Sequence, residues 1–284
     1  MPTITDSPPI LIAGYGDLGS AVGASLAQEG LPVLGLSRSE RTQTEGVRRL
    51  VADVTQAATL AVLAQTDPQI LLYCVAASEQ SDDNYRAHYV DGLRNVLAAL
   101  GHARNLRHVF FVSSTRVYGQ VDDTPLSETS PAQPADFGGR RLLEAEQVLD
   151  GLTCQHTALR LSGIYGPGRE RMLRLALDPA SWPQQNAWSN RIHRDDAAAF
   201  IVHLMHAVLS GKQIDDCYLV TDSCPAPQIE VLHHLAGYAP GTIEVPAPAG
   251  GKRLSNARML GTGFRLRYPD YRTGYASLME QAPP

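Results

Sequence analysis

The chain has 284 residues, 44% of them apolar and 19% charged, which is enough hydrocarbon for a core and too little charge for wholesale disorder. A formal charge of −5 and a pI near 6.0 argue against nucleic acid or an anionic membrane as the main partner. The length suits one large domain or two unequal ones.

After a polar leader ending at Pro8-Pro9, Ile10-Leu11-Ile12-Ala13 predicts a strand with no polar alternation, as expected of a parallel strand buried on both faces. Gly14-Tyr15-Gly16-Asp17-Leu18-Gly19 follows directly, and a helix is predicted from Ser20 to about Glu29. A G-x-G-x-x-G run between a buried strand and a helix is the setting in which these glycines bind a dinucleotide. Gly14 serves the tight turn, Gly16 the backbone approach to pyrophosphate, and Gly19 the close helix–strand contact. The helix N-terminus adds N–H donors and a positive dipole end.

Pro32 to Leu36 predicts a second strand, and it ends on Ser37-Arg38. An acidic residue there would bind the ribose 2′-hydroxyl of NAD. A hydroxyl and a guanidinium instead suit a 2′-phosphate, so NADP is expected, with NAD as the alternative if Arg38 is merely solvated. Further strands are predicted at Leu50 to Ala52, Ile70 to Val75, His108 to Val112 and Ala158 to Leu161. Helical patterns separate them at Ala57 to Ala64, Tyr85 to Leu100 and Arg141 to Leu152. This alternation predicts an α/β, Rossmann-type doubly wound parallel sheet. Beyond it the chain turns rich in Gly, Pro, Arg and Trp. The expected division is a dinucleotide-binding domain over 1–165 and a small loop-rich substrate lobe over 166–284. Segments around 192–221, with a helix at Asp195 to Leu209 and a strand at Cys217 to Thr221, are expected to return to the main sheet.

Asp53-Val54, Val75-Ala76-Ala77, Ser113 to Gly119, Leu159-Arg160-Leu161, Tyr165 to Gly168 and Ile192 to Asp196 together resemble motifs of the extended and atypical short-chain dehydrogenase/reductases, the NAD(P)-dependent epimerase/dehydratase family. Asp53-Val54 is similar to the family's adenine-contacting pair after the third strand. Val75-Ala76-Ala77 resembles its cofactor-lining end of the fourth. Ser113-Ser114-Thr115-Arg116-Val117-Tyr118-Gly119 is similar to its Ser-Ser-x-x-Val-Tyr-Gly. Leu159-Arg160-Leu161, Tyr165-Gly166-Pro167-Gly168 and Ile192-His193-Arg194-Asp195-Asp196 complete the series. The resemblance implies a sugar or nucleotide-sugar-like substrate, oxidoreductase or isomerase chemistry, and a homodimer through the helices near Val96 and Leu149.

The family's general base is the Tyr of Tyr-x-x-x-Lys, and the resemblance aligns Phe137 with that Tyr and Arg141 with that Lys. A phenyl ring has no oxygen to take a hydroxyl proton, and Arg141 then has no phenol to tune from its usual pKa of about 10. No lysine precedes Lys212 to replace it. Ser114 stands where the family polarises the substrate oxygen, or it is structural. Tyr118 is the first candidate for a surrogate acid, Tyr165 the second, and both positions also suit packing. Thr115 and Arg116 replace the Asp-Glu of the dehydratases, which disfavours a 4,6-dehydratase. These departures resemble the YeeZ-like branch. Arg169, Arg171 and Arg174 are either solvated or hold a substrate phosphate. The alternative function is a non-catalytic NAD(P)-binding sensor.

No metal site is expected: His203 and His206 have no third ligand at supporting spacing, and Cys74, Cys154, Cys217 and Cys224 lie far apart. No secretory leader is visible, and the uncharged run Ala197 to Gly211 is shorter than the ~20 residues a bilayer span needs. A cytoplasmic location is expected, with no membrane or nucleic-acid partner.

Overall fold

The computed structural model describes residues 7–39, 44–120, 124–238 and 245–281. It forms two compact units: one of Met1–Gly119, Ala132–Arg160 and Ala198–Tyr218, the other of Gln120–Pro131, Leu161–Ala197 and Leu219–Pro284. The cut at Arg160 comes before the expected boundary at 165. Residues 120–131, expected in the first domain, belong to the second unit. There the Leu126 N–H donates to the Arg253 carbonyl at 2.8 Å, and the Ser255 N–H donates to the Leu126 carbonyl at 2.9 Å.

The first unit is built on a seven-stranded sheet of order β10-β6-β5-β4-β1-β2-β3. The strands are β1 (Ile10–Ala13), β2 (Val33–Ser37), β3 (Val47–Val51), β4 (Ile70–Tyr73), β5 (His108–Ser114), β6 (Gln155–Leu161) and β10 (Cys217–Val220). β1 is wholly buried and pairs in parallel with β2 on one side and β4 on the other. Chain order therefore reverses beside β1, and its carboxyl end opens at the switch point where such sheets bind ligands. Helix α1 (Asp17–Gln28) begins after the three residues that follow that strand end.

Several elements differ from the expectations above, three of them with a clear physical reason. The helix expected over Tyr85 to Leu100 is α2 (Asp82–Tyr85), a π-helical turn over Arg86–Asp91, and α3 (Gly92–Ala99). The Tyr73 hydroxyl donates to the His88 carbonyl inside that turn. A Cβ on Gly92 would fall 2.5 Å from the Tyr73 hydroxyl oxygen. A side chain inserted from the sheet thus widens the helix locally. The helix expected from Arg141 is α4 (Phe137–Leu149), begun earlier because Asp136 caps it through the Gly139 N–H at 2.8 Å. β3 starts at Val47, before the expected Leu50, because an edge strand tolerates Arg48 and Arg49. Val96 and Leu149, expected near a dimer contact, are buried in this unit.

The second unit holds two small ribbons. β7 (Gly163–Tyr165) runs parallel to β9 (Arg191–His193), and β8 (Trp188–Ser189) runs antiparallel to β11 (Ala226–Pro227). Tyr165, Val231, Tyr271, Tyr275 and Leu278 form its core with α7 (Gln228–Leu235) and α9 (Tyr271–Gln281). Among the described residues no helix is long and apolar enough to cross a membrane.

Candidate functional site

The loop after β1 divides its work among the three glycines. Gly14 has φ +95°, and a Cβ there would lie 2.5 Å from the Cys74 carbonyl. A Cβ on Gly19 would lie 2.4 Å from the Gly14 carbonyl oxygen, so the helix packs directly on the turn. Beside Gly16 there is nothing within 4 Å: open space lies where backbone would approach a pyrophosphate. No side chain caps α1, which leaves its first turn to an anionic ligand. These observations fit a bound dinucleotide. Tyr15 and Leu18 are buried and point their side chains inward, so only their backbone can meet it, while Asp17 stands in the first turn of α1.

At the end of β2 the Ser37 hydroxyl donates to the Ser39 carbonyl at 2.8 Å and accepts from Arg49 Nη2 at 2.6 Å. Arg38 is exposed, and its charge acts on Asp53. Burial works against ionisation of the Asp53 carboxyl, yet the Thr55 N–H and hydroxyl, with Arg38 and His88, hold it below its usual value. Val54 is buried, and its carbonyl accepts from Asn95 Nδ2 at 2.9 Å. Val75, Ala76 and Ala77 follow β4, with the Val75 nitrogen 2.6 Å from where a Gly14 Cβ would sit.

Around Phe137 the structure shows an arrangement that the sequence reading did not include. Arg116, on the 3₁₀ turn after Ser114, lays its guanidinium 5.2 Å from the ring centroids of both Tyr85 and Phe137. Its Nε donates to both Asp136 carboxylate oxygens at 2.9 Å, and Nη1 donates to the Tyr85 hydroxyl at 2.8 Å and to Gln80 at 3.1 Å. A Cβ on Gly138 would lie 2.4 Å from the guanidinium carbon, so that glycine makes room for it. The half-buried Ser114 hydroxyl accepts from the Arg116 N–H at 3.2 Å.

Arg141 is taken up by two neighbouring carboxylates. It forms a two-pronged pair with Asp82 at 2.7 and 2.8 Å and a third bond to Glu144 at 2.7 Å. Hydrogen bonds to Asp82 and Glu144 raise its pKa, and the reciprocal bond depresses that of Asp82. Tyr118 is likewise withdrawn from the expected acid role. It has no exposed surface, its hydroxyl accepts from Arg160 Nη1 at 2.5 Å, and burial pushes its pKa up to about 12. Arg160 in turn holds Glu146 through bonds of 2.6 to 3.2 Å, and Ser113 donates to Glu146 at 2.5 Å. This buried network braces β5, β6 and α4.

In the second unit Tyr165 is buried with its hydroxyl unpartnered, and burial holds its pKa well above the ordinary range. Arg169, Arg171 and Arg174 are exposed, the last two on α5 (Arg171–Ala176). Asp222 is fully buried, and burial lifts its pKa to about 7 against the pull of the Cys224 N–H and Arg191 and with the push of Asp270 and Asp196. A carboxyl whose folded pKa is raised gives stability that is full below about pH 4 and lost as pH rises through about 7. Chemical unfolding should show that loss at up to roughly 1.4 kcal/mol per pH unit, and Asp222→Asn should flatten it. An unchanged slope in the variant would assign the effect elsewhere.

Arg49, Asp82, Tyr85 and Arg116 were not read from the sequence as site residues. For Arg116 its place directly after Ser114-Thr115 was a usable signal. Asp82 and Arg141 lie 59 positions apart, and nothing local ties them.

A dinucleotide-binding Rossmann fold is therefore what the sheet and the glycine loop define. The chain belongs to the NAD dependent epimerase/dehydratase family, whose model matches residues 10–216. It is similar to a Methylobacillus flagellatus structure assigned to NAD-dependent epimerases/dehydratases, at 47% identity and TM-score 0.86, over 96% of this chain and 98% of that one. A conserved Silicibacter pomeroyi protein matches at 27% identity and TM-score 0.69, over 97% and 99% of the chains. An NAD-bound short-chain dehydrogenase/reductase superfamily protein of Agrobacterium tumefaciens matches in fold at 20% identity and TM-score 0.75, over 95% and 96%. No match was found among the curated proteins.

Proposed function

We propose that this protein is an NADP-preferring oxidoreductase of the epimerase/dehydratase type, acting on a sugar or nucleotide-sugar-like substrate without the family's Tyr and Lys. The observation that carries the reading is the open space beside Gly16 at the uncapped start of α1, with Ser37 and Arg38 at the neighbouring strand end. Gly14, Gly16 and Gly19, with the backbone of Tyr15, Asp17 and Leu18, would hold the pyrophosphate. Ser37 and Arg38 would hold the ribose phosphate, Asp53 and Val54 the adenine, and Val75 to Ala77 the inner wall. Bound there, the cofactor supplies a hydride acceptor or donor. Ser114 would orient the substrate oxygen by hydrogen bonding, and Arg169, Arg171 and Arg174 a substrate phosphate. The departures at Phe137 and Arg141 support the YeeZ-like branch. A cytoplasmic location and pairing of two copies through exposed faces of α3 and α4 complete the proposal.

One observation favours a second reading, a binding module without turnover. Arg141 is consumed by Asp82 and Glu144, and Arg116 covers the ring of Phe137, so no tuned phenol stands at that position. Calorimetry and nicotinamide absorbance together test both. NADPH should bind at least about ten-fold more tightly than NADH, with Arg38→Ala narrowing the gap, because a charge-assisted hydrogen bond contributes about 1.5–3 kcal/mol. Equal affinities would refute the cofactor choice. Binding with no hydride transfer to any sugar or nucleotide-sugar offered would favour the module.

A further inference from the structure

The Tyr15 side chain, although part of the glycine fingerprint, turns away from it into the gap between β2 and α1. Two glycines admit the ring. A Cβ on Gly35 or on Gly23 would each fall 2.6 Å from a Tyr15 ring carbon. The guanidinium carbon of Arg49 stacks 4.5 Å from the centroid of this ring. Register puts Arg49 opposite Gly35 and Val51 opposite Ser37, so Gly35 and Ser37 share one face of β2. Arg49 runs forward along that face and donates from Nη2 to the Ser37 hydroxyl at 2.6 Å. Its Nε is buried with no partner. Among the described residues no carboxylate neutralises it.

We propose that Arg49 is a second cationic ligand for the 2′-phosphate of NADP(H), pre-positioned by the Tyr15 ring and the Ser37 hydroxyl. The inference rests on the NADP reading given above and assigns its selectivity to β3 as well as to Arg38. A guanidinium lying flat on an aromatic ring keeps its N–H edge free for a phosphate and loses little side-chain freedom on binding. Arg38 is exposed on the loop that leaves β2. Arg49 is held by the Tyr15 ring and the Ser37 hydroxyl before any ligand arrives, so the two differ in kind. The Gly35–Tyr15–Arg49–Ser37 chain also explains why a tyrosine sits in the phosphate loop without facing the phosphate.

The test titrates the whole protein with 2′,5′-ADP and with 5′-AMP, which differ only in the 2′-phosphate. Wild type should prefer 2′,5′-ADP by about ten-fold or more. Arg49→Gln should lose most of that preference while binding 5′-AMP as before, which also reports an intact fold. Arg49→Lys should keep part of it. In the unaltered protein the Arg49 Nε–H resonance should shift on adding 2′,5′-ADP and not on adding 5′-AMP. A preference that survives Arg49→Gln but falls in Arg38→Ala, with an unmoved resonance, would overturn the Arg49 assignment and leave the NADP reading standing. A wild type that binds both probes equally would overturn the NADP reading itself and the assignment with it.

Discussion

Gly16→Val is expected to abolish dinucleotide binding and leave folding stability nearly unchanged. The added side chain meets no atom within 4 Å of its Cβ, and the backbone at Gly16 has φ −91°, not the positive φ that demands glycine. The same volume is where backbone must approach a pyrophosphate. Losing two charge-assisted N–H bonds of about 1.5–3 kcal/mol each weakens binding at least ~100-fold. Gly14→Ala is the control, because it forces a Cβ into the Cys74 backbone at φ +95° and should lower stability. Titration with NADPH and thermal unfolding of both variants separate the effects. Normal binding by Gly16→Val would show that the cofactor lies elsewhere.

The largest stability effect is expected from Glu146→Ala. Glu146 and Arg160 have side-chain exposures of 9% and 11% and bond through both carboxylate oxygens, with Ser113 and Tyr118 completing the network. Removing the carboxylate leaves a buried guanidinium without its counter-charge, at a cost of about 3–5 kcal/mol. The double variant Glu146→Leu with Arg160→Met should recover most of that loss, because neither charge then remains to be desolvated. Urea unfolding measures both. A loss under about 1 kcal/mol in the single variant would mean that water reaches the pair. Cofactor binding should persist in the double variant, since the network lies behind β5 and does not include the glycine loop.

The strands of the main sheet were legible because they are short apolar runs buried on both faces. β1 and β4 show this most clearly, and burial leaves little choice of residue there. The glycine loop was legible for a related reason. A positive φ at Gly14, contact at Gly19 and open space at Gly16 each demand the absence of a side chain, and that demand is written as composition at fixed spacing. The start of α4 was less legible, since Phe137-Gly138-Gly139 has poor helix propensity. The Asp136 cap and the room that both glycines make for Arg116 outweigh it.

Side-chain partnership across long separations was not legible at all. Arg141 reads in sequence as a free cation in the place of a lysine, and only folding brings Asp82 and Glu144 onto it. Tyr118 reads as a motif phenol, and only the return of β6 beside β5 buries it under Arg160. Arg49 lies just before the strand predicted at Leu50, and only the observed register places it on the Tyr15 ring. Local sequence determined the sheet and the phosphate cradle, because backbone geometry constrains residue type position by position. The tertiary structure decided which charges are spent and which remain open to a ligand, because a charge takes whatever partner the fold brings within a few ångströms.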